Sequence, residues 1–89
     1  MSKGEYFIVD AQHCAALFRL GRDVEAGIAM TELLGALQSV IDQAAPAVQQ
    51  QWVVVLGPML ECQESQNWLA LADYLEYELV QVLTDGLSI

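Results

Sequence analysis

Trp52-Val53-Val54-Val55-Leu56 is the stretch on which the fold class turns. Its β-branched and aromatic composition suits a strand. Periodicity alone does not separate a short buried strand from a turn of buried helix. The flanks favour helix. Ala47-Val48-Gln49-Gln50-Gln51 leads into the run without a turn signal. Pro46 suits the first turn of a helix, where its missing N–H would be unpaired anyway. A third helix over about 47–62 follows, broken or kinked at Gly57-Pro58. The alternative is a strand at 52–56 paired with Tyr6-Phe7-Ile8-Val9, which would make the chain α+β.

Downstream lies the clearest element. Trp68, Leu71, Ala72, Leu75, Leu79, Val82 and Leu83 fall at steps of three and four or adjoin such steps. That is one face of an α-helix, read over about 66–84, with Ser65 or Asn67 as cap and Gly86 at its close. Upstream, Met30, Leu33, Leu34, Leu37, Ile41 and Ala44 mark a second helix over 24–44, capped by Asp23 and stopped ahead of Pro46. Before it, Asp10 caps a first helix over 11–20, and Gly21 supplies a left-handed C-terminal turn. Residues 1–9 are read as an extended arm. Four helices with short connections predict an all-α fold, a small antiparallel bundle within a single domain over 1–89.

Charge divides the chain unevenly. Lys3, Arg19 and Arg22 are its three bases, and only Glu5 and Asp10 among the acids precede Asp23. From Asp23 onward ten carboxylates meet no Lys or Arg, and the net charge is −9. Such a surface repels nucleic-acid phosphates and anionic lipid and attracts basic proteins. We therefore expect no direct nucleic-acid binding and no membrane association. Mimicry of a nucleic acid toward a basic cleft is a sub-class of the same reading. No uninterrupted apolar run is longer than Trp52–Leu56, well short of the ~20 residues that span a bilayer. No signal peptide is recognisable, and two cysteines make no disulfide framework, so we expect a cytoplasmic location. A 55% hydrophobic content is high for so short a chain and suggests a homodimer that buries the surplus.

Two surfaces stand out. On the last helix Leu69, Asp73, Glu76, Tyr77 and Val80 share the side away from the apolar stripe. Apolar and aromatic side chains among carboxylates suit a partner with both apolar and basic groups, with Leu69, Tyr77 and Val80 as anchors and Asp73 and Glu76 as rim. On the second helix Gly27, Thr31, Gly35 and Ser39 recur every fourth residue, with Val24 and Ile28 nearby. Val24, Gly27, Ile28, Thr31 and Gly35 form the candidate dimer interface, since small side chains permit close helix approach.

Catalytic chemistry has less to stand on. Asp73/Glu76 and Glu61/Glu64 are carboxylate pairs at i,i+3, but a hydrolase or metal site needs them converging with further ligands. His13 is the single histidine, and with Cys14 and Cys62 it falls short of a closed zinc set. We expect no enzyme activity, no catalytic or metal residues and no cofactor. The expected function is that of a small acidic interaction module: an adaptor, chaperone-like or inhibitory. A carboxylate-based enzyme or metal-binding helical protein, and a structural subunit of a larger complex, are the alternatives.

Overall fold

Ser2 and Glu5 decide where the chain begins to coil. In the computed structural model, which describes residues 2–87, the Glu5 N–H donates to the Ser2 hydroxyl and the Ser2 N–H to the Glu5 carboxylate, each at 3.3 Å. This reciprocal capping box satisfies two donors at the helix start. Helix α1 accordingly spans Lys3–Arg19. The expected extended arm over 1–9 is therefore, among the described residues, helix from Lys3 onward, with Ser2 alone extended as its cap. Asp10 lies inside α1 and caps nothing. The strand-like composition of Tyr6–Val9 yields to the cap and to the burial of Phe7 and Ala11 on one helical face. Residues 1, 88 and 89 of the single-domain assignment lie outside the described residues.

Gly21 ends α1 as its position suggests, with φ of 76°. The Gly21 N–H donates to the Phe18 carbonyl at 3.1 Å and the Arg22 N–H to the Leu17 carbonyl at 3.0 Å. Both orphan carbonyls are thereby paired. Helix α2 spans Asp23–Ile41. Asp23 is its first residue rather than its cap, and acts through its charge at the positive end of the helix dipole. The helix stops three residues earlier than the apolar spacing suggests, because Gln49 claims the chain that follows. Its side-chain amide donates to the carbonyls of Ile41, Asp42 and Ala44 at 3.2–3.3 Å.

Helix α3 spans Pro46–Glu64 with Pro46 in its first turn. It takes in 52–56 and continues through Gly57-Pro58, so the pairing of 6–9 with 52–56 does not occur. Pro58 has no N–H to offer the Val54 carbonyl. Val54 is exposed, so water can serve that carbonyl, while Val55 and Met59 anchor the turns on either side in the core. Gln66, at φ 59°, then turns the chain, and the Asn67 side chain accepts from the Ala70 N–H at 3.4 Å. Helix α4 follows in three parts: Trp68–Asp73, a π-helical turn at Tyr74–Glu78, and Leu79–Gly86. No strand occurs among the described residues.

Consecutive helices run antiparallel, late residues of one meeting early residues of the next. The Cys14 thiol in α1 donates to the Ala26 carbonyl in α2 at 3.4 Å. The Trp52 indole N–H in α3 donates to the Gln38 side chain in α2 at 2.9 Å. The ends of α3 and α4 meet where Val48 faces Gly86. Phe18 stacks on Trp68, with ring centroids 5.3 Å apart. Helices α1 and α4 form the central pair, and α2 and α3 meet only narrowly. Trp52, Met30, Leu37, Met59, Leu75 and Leu79 are among the fully enclosed side chains, each worth roughly 1.5–3 kcal/mol of burial. Trp68, expected in the core, is half-buried, because its ring covers Phe18 at the end of the bundle. The radius of gyration is 12.1 Å, about what a compact chain of this length adopts.

Candidate interaction surfaces

On α4, Leu69 and Tyr77 stand 64% and 63% exposed, as an anchor role requires. Val80 is half-buried and packs against the core. The carboxylates between them are not free. Arg19 reaches across from the end of α1 and donates through one nitrogen to Asp73 at 2.8 Å and Glu76 at 2.9 Å. Hydrogen bonding to Asp73, then to Glu76, holds the guanidinium more firmly protonated despite its partial desolvation. The expected acidic rim is thus an intramolecular, solvent-facing cluster of three charged residues. It pairs residues 54 and 57 positions apart, and local sequence spacing carries no signal for such a pairing.

The π-helical turn lies at this same place. Leu79 donates its N–H to the carbonyl of Tyr74, five residues back, which widens the helix by one residue over a single turn. Tyr74 and Tyr77 consequently face the neighbouring helix α3 across a groove. Two adjoining hollows, about 550 and 480 Å³, run along the α3–α4 seam and share Val54, Val55 and Glu78. Apolar groups of Val54, Pro58 and Tyr77 line one, and Val54 and Val82 line the other. Asp73, Glu78 and Asp85 are the charged residues along them, and no Lys, Arg or His lines either hollow. Nothing in the spacing of Val54, Pro58 and Glu78 marks them as a site, because the groove exists only once α3 and α4 are side by side. The freed Val54 carbonyl opposite Pro58 was the one local clue.

Helix α2 presents the second surface. Val24, Ile28, Thr31 and Gly35 are exposed and Gly27 is half-buried. A Cβ added at Gly27 or Gly35 would meet nothing within 4 Å. Among the described residues nothing packs closely over these two glycines of the small-residue ridge. The Thr31 hydroxyl donates back to the Gly27 carbonyl at 2.9 Å, and Ser39 likewise to Gly35 at 3.5 Å. By length and composition α2 could cross a membrane, with an 18-residue stretch of mean hydropathy 1.3. Its exposed side also carries Asp23, Glu25 and Glu32.

The groups that suggested chemistry are dispersed. Glu61 and Glu64 are both exposed. His13 shares a hollow of about 270 Å³ with Asp10 and Glu32. Among the described residues no three His, Cys, Asp or Glu side chains are placed to hold a metal ion. Cys14 is enclosed, and burial pushes its thiol up to about 11. Cys62 is half-buried, and both thiols are free. Compared with protein-family models, curated proteins and solved structures, the chain shows no significant match.

Proposed function

We propose that this protein is a non-enzymatic interaction module that docks on a basic partner protein. The observation that carries this reading is the pairing of exposed apolar anchors with one-signed charge. Leu69 and Tyr77 on α4 and Val54 on α3 are exposed, and the charged residues of these two helices are all acidic, with Arg19 of α1 paired to two of them. Long-range attraction steers a basic partner toward that side, and desolvated anchors hold it. Catalysis, nucleic-acid binding and membrane insertion form no part of the proposal, and two free thiols suit a reducing cytoplasm. The test is capture of the partner from the native cell, followed by reconstituted binding. Association should slow steeply with added salt, and Leu69→Ala and Tyr77→Ala should each raise the off-rate. A captured partner that is acidic, or that binds both variants as well as wild type, would refute the proposal.

Homodimerisation through α2 is a second proposal, supported by Val24 at 78% and Ile28 at 61% exposure beside glycines with open space above them. Sedimentation should show a dimer that Gly35→Leu weakens. A monomer of 9.8 kDa at high micromolar concentration would contradict it.

A further inference from the structure

We infer that the α3–α4 groove is the docking site for a basic amphipathic helix of about three turns supplied by a different protein. This rests on the interaction-module reading and specifies its partner's shape, chemistry and place. The groove's lining runs from Ala47 to Pro58 on α3 and from Asp73 to Asp85 on α4. Twelve or so residues of helix rise about 18 Å, the length of three turns. Val55 and Val82 are the buried apolar residues of its lining, and Val54 on α3 and Tyr77 on α4 stand exposed along it. That pattern receives apolar side chains at i, i+3, i+4 and i+7 of a helix laid along it.

Charge decides the occupant. Asp73 is partly compensated by Arg19, so the unopposed negative charge of the groove lies toward Glu78 and Asp85. A Lys- or Arg-bearing flank fits there. A second copy of this chain does not. It would bring a net charge of −9 to an acidic groove, and of its three bases Arg19 and Arg22 are already paired, with Asp73 and Glu76 and with Glu25, which leaves Lys3 at the start of α1 as a single charge to offer, too little for a basic flank. Strand addition has no template either, since the described residues offer no sheet edge. Opposite Pro58, the Val54 carbonyl is free of its helical partner and can accept from a lysine or arginine of the docked helix.

The test uses the full chain and a synthetic peptide of about fourteen residues, leucine and lysine arranged as an amphipathic helix. A scrambled peptide of identical composition controls for charge alone. The helical peptide should bind about tenfold or more tighter than the scramble. Val54→Lys, at an exposed position that leaves the core intact, should weaken it by about tenfold or more. Glu78→Gln should mainly slow association, and Val24→Lys on α2 should leave affinity nearly unchanged. Amide shifts should gather at 50–58 and 77–85. Equal binding of both peptides would overturn the groove, as would indifference to Val54→Lys. If Leu69→Ala weakens the peptide while Val54→Lys does not, the groove falls and the interaction module stands. If no peptide binds, the groove falls too, and the module is then judged separately by the captured partner's dependence on Leu69 and Tyr77.

Discussion

Gly21 and Gln66 hold the same left-handed backbone at two helix ends, with opposite consequences for substitution. Gly21→Ala puts a Cβ where the backbone disfavours it and should cost about 1 kcal/mol in urea unfolding. Gln66 already bears that strain, so Gln66→Gly should stabilise by about 0.5–1 kcal/mol. Gly21 was legible in the sequence because glycine announces such a turn. Gln66 was not, since nothing in its chemistry asks for positive φ. Ser2-x-x-Glu5 was present as a capping box but stood beside Tyr6–Val9, whose strand-like composition hid it. Cys14 gives a pH test. Its thiol ordinarily titrates at 9.0 and in the fold at about 11. The unfolded chain therefore loses its proton first. Stability from this group is intact below pH 9 and is lost as pH rises toward 11, by roughly 2–3 kcal/mol. Cys14→Ala should show a shallower alkaline decline than wild type; identical slopes would exclude Cys14 as the cause.

At the scale of elements, the glycines of α2 and α4 separate two kinds of small residue. A Cβ on Gly86 would sit 2.8 Å from a Val48 methyl, so Gly86→Ala should destabilise by about 1–3 kcal/mol through overpacking. Gly27 and Gly35 face open space. Alanine at either should raise helix stability by up to about 1 kcal/mol, measured at concentrations too low for association. Thermal melts of the three variants give opposite signs for α4 and α2, and a destabilised Gly35→Ala would mean a contact on that ridge. The apolar stripe of α4 was readable before the structure, since Leu71, Leu75, Leu79 and Val82 are all buried. The π-helical turn was not, because residues spaced by four stay on one side through either geometry. Helix α3 was readable from its lead-in, but its continuation past Pro58 depends on Val55 and Met59 finding the core, which is a tertiary effect.

Across the whole molecule, one-signed charge acts on both stability and association. A net charge of −9 repels itself in the compact state, so added monovalent salt should raise the melting temperature by screening. Arg19→Gln should lower it at low salt and matter less at high salt, because the ion cluster with Asp73 and Glu76 is solvent-facing. The all-α fold was legible because α2 and α4 carry a helical period and Gly21 and Pro46 mark stops between helices, whereas α3 rested on its lead-in and the first turns of α1 were missed. The groove and the Arg19 cluster join residues far apart in the chain, and only packing reveals them. A backbone amide titration of the full chain with its captured partner tests docking on α3 and α4. Shifts should fall along 50–58 and 69–85 and weaken with salt. Shifts confined to α1 and α2, or binding that salt leaves unchanged, would contradict it.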